Sequence, residues 1–351
     1  MSSITHSTLH QCRDEHDLDL NRLSEYLQQH SDLFHAPLTC KRFTGGQSNP
    51  TYLLTCAEQR YVLRRKPKGV LLKSAHAVDR EYKVLQALFA TDCPVAEPIL
   101  LCQDEEIIGS WFYIMRFVEG RIFWDPSLPH ASPQERHALY QAAFDALMSI
   151  QQVDIEKVGL ASYGKPGDYF ARQISRWERQ YRASETQDMP AMEHLITWLK
   201  TQEPIAETKA CLVHGDFRMD NLIFHPSEPR VIAIVDWELS TLGHPVADLS
   251  YWAMGLRLPR QEGMLSGLAG LDRSALGIPE EDEWLEQFFT GSMAVFQSRW
   301  SFLLAFHFFR LAAILQGVYA RSLQGNASSR KAQQIGAMAS QIAELGAQVT
   351  R

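Results

Sequence analysis

The stretch Cys211–Asp248, CLVHGDFRMDNLIFHPSEPRVIAIVDWELSTLGHPVAD, decides how the rest of the chain is read. Leu212 and Val213 end one apolar run, Asn221 opens the next through Leu222–Phe224, and Pro226-Ser227-Glu228-Pro229 makes a turn. Val231–Val235 is β-branched and almost wholly apolar, the pattern of a buried strand. The acids fall where apolar chain gives out: Asp216 in the first loop, Asp236 and Glu238 just past the last strand. A hairpin over this stretch brings Asn221 and Asp236 together despite their separation in sequence. A general-base candidate, an amide and two carboxylates are thereby gathered by one short segment.

Phosphoryl transfer uses this set. One Asp orients the acceptor hydroxyl and takes its proton, while an Asn and a second Asp hold Mg²⁺ on the nucleotide phosphates. Protein kinases space these residues as H-x-D, four residues, Asn, and later an Asp after a strand; this chain has His214-Gly215-Asp216, Asn221 and Ile234-Val235-Asp236-Trp237-Glu238. Two Asp caps and an Asn turn would explain any one position, but not all of them in this strand context. On these motifs the chain resembles the aminoglycoside phosphotransferase family. The resemblance implies an α+β, bilobal protein-kinase-like fold, with a small β-rich N-lobe and a larger, mostly helical C-lobe. Expected boundaries are a helical extension over 1–36, the N-lobe over 37–117 and the C-lobe over 118–351.

The chain has 351 residues, enough for two ordinary domains or two lobes, and a core-forming composition of 45% hydrophobic and 21% charged residues. Its formal net charge of -7 argues against a non-specific nucleic-acid binder. Six cysteines without a C-x-x-C pair indicate neither zinc nor redox chemistry and fit reduced thiols in a cytoplasmic enzyme. The first residues lack the charged-then-apolar pattern of a signal peptide. Trp300–Ala320 is long enough to span a bilayer, but His307 and Arg310 at its centre favour a buried core helix and no membrane partner.

Upstream, Asp19–Gln29 has helical spacing, and Leu38–Phe43 and Thr51–Thr55 read as strands around Thr44-Gly45-Gly46-Gln47-Ser48-Asn49-Pro50. A loop of this kind lays backbone N–H groups over phosphates, which makes Gly45, Gly46, Ser48 and Asn49 nucleotide-binding candidates, although an ordinary hairpin turn has the same composition. The loop resembles the G-G-x-S-N loop of the family branch found beside, or fused to, acyl-CoA dehydrogenases. Tyr61–Arg65 follows as a strand in which Arg64 stands where kinases carry the phosphate-binding Lys. Glu81, on a helix expected over Ser74–Ala90, is its expected ion-pair partner. Strands at Pro98–Cys102 and Trp111–Phe117 lead to Arg116–Val118, which by order alone corresponds to the adenine-reading hinge, and Gly120 suits the exit from it. Helices are expected over His137–Gln152, Asp168–Tyr181, Met192–Lys200, Glu281–Arg321 and Ser329–Gly346.

The resemblance thus assigns Asp216 as base, Asn221 and Asp236 as Mg²⁺ ligands with Glu238 acting through water, and Arg64 to the phosphates of ATP, or of GTP in its place. His214 and Asp248 are expected to support the loop. The partners expected are a nucleotide and a small hydroxylated substrate. The dehydrogenase-associated branch implies a hydroxy acid or hydroxyacyl-CoA. Aminoglycosides are polycations, and only Glu344 is acidic between Ser329 and Arg351, so an aminoglycoside kinase is disfavoured. The alternative from another class is a nucleotide-binding, pseudokinase-like regulatory protein; against it, Asp216, Asn221 and Asp236 are all present.

Overall fold

Strands near the N-terminus alternate between buried apolar and more exposed polar residues, and that period lets them pair with one side on a core. A computed structural model of the chain describes residues 6–7, 12–13, 17–43, 49–67, 77–165, 167–206, 208–260, 265–323, 336 and 338–351. Its elements begin with β1 (His6–Ser7), β2 (Cys12–Arg13), α1 (Leu20–His30), β3 (Leu38–Phe43), β4 (Thr51–Cys56), β5 (Gln59–Arg65) and α2 (Val78–Leu88). They continue with β6 (Pro98–Cys102), α3 (Glu105–Ile108), β7 (Phe112–Arg116), β8 (Arg121–Ile122), α4 (Pro133–Gln151), α5 (Tyr169–Ser184) and α6 (Pro190–Thr201). The catalytic stretch supplies β9 (Cys211–Val213), β10 (Leu222–Phe224), β11 (Val231–Ile234) and β12 (Thr241–Gly243). Then come α7 (Val246–Leu256), α8 (Arg273–Leu276), α9 (Glu281–Phe288), α10 (Trp300–Leu323) and α11 (Ala339–Gln348).

Two compact units result. The first comprises Met1–Trp124, Leu128–Ser162 and Arg218–Ser240; the second comprises Asp125–Ser127, Tyr163–Phe217 and Thr241–Arg351. In the first unit a six-stranded sheet of order β2-β3-β4-β5-β7-β6 is antiparallel throughout. Tyr61, Leu63 and Arg65 on β5 face one way: Tyr61 and Leu63 join the core with Leu23, Leu27 and Phe34, and Arg65 ends in a pair with Asp17. Arg64 therefore faces the other way, towards α2. A second sheet, β1-β8-β10-β11, carries the hairpin of the catalytic stretch, in which Leu222 pairs with Ile234. Ile234 N–H also donates to Pro94 O at 2.8 Å, which ties the hairpin to the loop before β6.

In the second unit β9 and β12 form a two-stranded ribbon, and the remaining described elements are helices. The apolar segment Ala294–Leu323, which contains α10, is long and apolar enough to cross a membrane by length and composition. In this fold 78% of its most apolar window is buried. His307 and Arg310, the residues that argued against a span, are 1% and 5% exposed within that unit. Cys40, Cys56, Cys93, Cys102 and Cys211 are buried. The periodicity of the sequence places α1 and α4–α6 within a few residues of their ends. The helix expected over Ser74–Ala90 is described from Val78, and Ser329 lies outside the described residues.

Gly120 is set by packing, not by conformation. A Cβ there would stand 2.3 Å from Phe224 O and 2.6 Å from Ile223 Cγ2, so β10 must move to admit a methyl group. Gly120→Ala should lower the unfolding free energy by about 1–3 kcal/mol, measured by urea unfolding; wild-type stability in the variant would show that β10 yields freely.

Candidate active site

The first unit holds a buried cluster of charges. Arg64 leaves β5 with its side chain 11% exposed and meets three acids. Its Nη2 lies 2.6 Å from Asp236 Oδ1 and 3.5 Å from Glu238 Oε2, and its Nε lies 3.2 Å from Glu81 Oε2. The last is an ion pair out of line for a hydrogen bond, since Arg64 Nε has no hydrogen-bond acceptor. Burial works against the Arg64 charge, but Asp236 and Glu81, with Tyr113 and Glu238 behind them, outweigh it and keep the guanidinium firmly protonated.

Glu81 is 1% exposed and accepts from two further groups, Asn49 Nδ2 at 2.8 Å and Tyr113 Oη at 3.1 Å. A buried carboxylate is tolerable only when its oxygens are hydrogen-bonded and a cation is near. Its pKa is nevertheless pushed up to about 7, by burial first and by Asp236 and Glu238 next, against the pull of Arg64. Tyr113 escaped the sequence reading because a tyrosine in an apolar strand looks like core. Asn49, expected at the nucleotide, points its amide into this buried network instead. Gly45, Gly46 and Ser48 lie outside the described residues.

The hairpin brings Asn221 and Asp236 together as its strand pairing requires. Met219–Asn221 is a single 3-10 turn ahead of β10, and Val235 N–H donates to Asn221 O at 3.0 Å. Asp236 takes a left-handed backbone, φ +66, directly after β11. Trp237 anchors the bend by donating from Nε1 to Ile234 O at 2.9 Å. Among the described residues no group of three or more His, Cys, Asp or Glu side chains is placed to hold a metal. Mg²⁺ takes one or two carboxylates and completes its shell with phosphate oxygens and water. Asn221, Asp236 and Glu238 offer only oxygen donors of the hard kind it prefers.

Arg116 and Val118, expected at the hinge, are placed differently from one another. The Arg116 backbone N–H donates to Glu97 O at 2.8 Å and its Nε to Glu97 Oε2 at 2.6 Å, so that N–H is not offered to a ligand. Phe117 N–H is likewise taken, by Arg60 O at 3.1 Å. Val118 follows these bonds and is half-buried.

The second unit holds Asp216. Beyond β9 the chain turns through Gly215 at φ +87, a conformation that favours glycine. Asp248, 3% exposed on α7, clamps the turn by accepting His214 N–H at 2.7 Å and Gly215 N–H at 2.8 Å. Burial raises the Asp248 pKa, opposed by His214 and by these two N–H groups. His214 is fully buried, and its Nδ1 accepts Asp216 N–H at 3.2 Å. Arg310 donates to Gly215 O at 2.6 Å. Asp216 is half-buried, and Tyr251 Oη donates to its Oδ1 at 2.6 Å. Of the other arginines considered for an acidic substrate, Arg257 is paired with both oxygens of Glu281, at 2.9 and 2.6 Å, and Arg321 is exposed. A cavity of about 250 Å³ lies beyond the opposite end of β9, lined by Phe170, Ile174, Leu242, His244 and Phe302 among others. It contains none of the site residues above.

The model of the phosphotransferase enzyme family APH matches residues 39–289, most of the chain, from Asn49 through Tyr251 among the residues above. The chain belongs to this family. The crystal structure of a Ralstonia eutropha protein designated an aminoglycoside phosphotransferase is 44% identical, has a TM-score of 0.82, and covers 95% of this chain and 98% of its own. The aminoglycoside phosphotransferase APH(4)-Ia, in a ternary complex with AMP-PNP and hygromycin B, has a TM-score of 0.59 at 14% identity and covers 93% of this chain and 98% of its own. That likeness extends to the fold alone, the kinase-like α+β fold expected from the motifs. Acyl-CoA dehydrogenase family member 10 of Mus musculus is 47% identical over 309 residues, 88% of this chain and 29% of its own. Family member 11 of Rattus norvegicus is 43% identical over 343 residues, 96% and 44% respectively. The chain therefore spans less than half the length of these curated relatives, and it aligns with the branch that the G-G-x-S-N loop suggested.

Glu81 binds its proton more tightly in this folded phosphotransferase than in water, where its pKa is 4.5. Folding takes up a proton between that value and about 7, so this stability is complete at the lower pH and lost as pH rises through about 7. Urea unfolding from about pH 5 to about pH 8 should show wild-type stability declining more steeply than that of Glu81→Gln. Parallel pH profiles would remove Glu81 as the cause.

Proposed function

We propose that this member of the phosphotransferase family moves the γ-phosphate of ATP, or of GTP, to a hydroxyl of a small molecule, with a hydroxy acid or hydroxyacyl-CoA as acceptor. What supports the reading most is Arg64, a buried cation bridging Glu81 and Asp236. A phosphate-handling site needs a fixed cation beside a metal-binding acid, and Arg64 stands beside Asp236 in this way.

In this reading Asp216 accepts the acceptor's hydroxyl proton while that oxygen bonds to the γ-phosphorus and the bond from phosphorus to the bridging oxygen breaks, releasing ADP. Asp248, His214 and Arg310 hold the loop that presents Asp216. Arg64, oriented by Glu81, steadies the phosphates. Asn221 and Asp236 would hold Mg²⁺, with Glu238 reaching it through water, and the ion would neutralise charge on the phosphates. The N-lobe and C-lobe boundaries at 117 and 118, and a cytoplasmic setting for the buried thiols, belong to the same proposal.

The acceptor rests on similarity to proteins named as acyl-CoA dehydrogenase family members and on the scarcity of acids near the C-terminus. The test is nucleotide consumption with Mg²⁺ over a panel of 4-hydroxy acids, their CoA thioesters, choline, homoserine, sugars and aminoglycosides. Turnover is expected with the hydroxy acids or thioesters, reduced about 100-fold or more in Asp216→Asn. Turnover confined to aminoglycosides would overturn the acceptor. Magnesium-dependent nucleotide binding without any turnover would favour a regulatory protein, and no nucleotide binding would overturn the kinase reading.

A further inference from the structure

Loop clamping accounts for Asp248, His214 and Arg310, but not for Tyr251. This tyrosine sits on α7 three residues after Asp248, is 5% exposed, and gives its hydroxyl proton to Asp216 Oδ1 at 2.6 Å. A phenol donating to a carboxylate makes a short, charge-assisted hydrogen bond. It engages Oδ1 and restrains rotation of the carboxylate. A hydrogen bond to the charged form of a carboxyl group favours that form.

The second unit holds Tyr251 rigidly enough for this. The Arg310 guanidinium carbon lies 5.2 Å from the centre of its ring, and the His307 ring meets it edge-on at 5.4 Å. A cation over a phenol face draws on its π electrons and makes the hydroxyl a better donor. Because Arg310 also holds Gly215 O, one side chain of α10 positions both the peptide before Asp216 and the ring that caps its carboxylate.

We propose that Tyr251 is a positioning residue for phosphoryl transfer: its hydroxyl holds the Asp216 carboxylate through Oδ1 in the orientation in which that carboxylate receives the acceptor's proton. The inference rests on Asp216 being the proton acceptor. The proton never passes through Tyr251, which remains a neutral donor throughout. Titratable or charged groups near the pair include Asp248 on α7, His214 in the loop, His307 and Arg310 on α10, and Tyr169 on α5. Asp248 and Arg310 act on the Tyr169 hydroxyl, and burial and Arg310 hold His307 neutral.

The test reads Asp216 directly, so it does not depend on turnover. In protein carrying ¹³C-labelled aspartate, the Asp216 carboxyl resonance is the one lost in Asp216→Asn, and its titration midpoint is followed against pH. Tyr251→Phe should raise that midpoint by about one pH unit. With an acceptor found in the panel above, the acid limb of the rate profile should move upward with it, and kcat should fall about tenfold with KM for ATP unchanged. An unmoved midpoint would overturn the proposal. Faster turnover in Tyr251→Phe would also overturn it, because Tyr251 would then be blocking Asp216. If the midpoint moves while Asp216→Asn turns over normally, the kinase role of Asp216 fails and the hydrogen bond's control of Asp216 stands. If Tyr251→Phe does not fold, 3-fluorotyrosine placed at 251 keeps the ring and strengthens the donor. The midpoint should then move down, and no movement would again overturn the proposal.

Discussion

A guanidinium and a carboxylate taken out of water cost more than their mutual attraction returns unless further groups satisfy them. Arg64 and Glu81 are in that position, and much of the first unit follows from the need to satisfy them. The sheet supplies Tyr113 from β7 and Asn49 from just ahead of β4, and α2 supplies Glu81. The hairpin Arg218–Ser240 supplies Asp236 and Glu238 to the remaining face of the guanidinium. These ion pairs, with the hairpin's bond to Pro94 and its pairing with β8, place that hairpin in the N-terminal unit, far from it in sequence. Glu81 is buried, and the acids around it outnumber the single cation, which is why it holds its proton so much more tightly than an exposed glutamate.

The second unit solves a different problem with different means. There the need is to hold a tight turn, and backbone groups do most of the work. Asp248 takes two consecutive N–H groups, Arg310 takes the carbonyl between them and Asp216, and the Asp216 N–H closes on His214. Helix α7 serves this loop through one face: Asp248 and Tyr251 are three residues apart, so helical geometry stacks them on the same side. Ser250, between them, faces His307 on α10 at 2.9 Å.

What the sequence made legible divides along physical lines. Strand alternation put Arg64 opposite Leu63 and Arg65, and one-face burial of β5 then left it facing α2, where Glu81 waits. Strand pairing made the closeness of Asn221 and Asp236 a matter of register. Through-space partners of ordinary core residues were not legible. Tyr113 and Tyr251 look like apolar filler in their elements, and only the folded chain shows that their hydroxyls end on acids. Asn49 is the converse case: a polar residue beside a glycine loop suggests a ligand, and its bond to a buried carboxylate was not legible. Arg116 was placed by chain order, which carries no information about whether its N–H is already bonded.

The left-handed backbone at Asp236 bears on how such a protein drifts over generations. That conformation is comfortable for Gly, Asn and Asp and strained for most others. A single-nucleotide change in an aspartate codon reaches both asparagine and glycine. Each suits the turn but discards the charge that Arg64 pairs with, so the backbone would admit either while the buried guanidinium would not. Position 236 is thus held twice over, by its turn against most residues and by Arg64 against the two that the turn would accept.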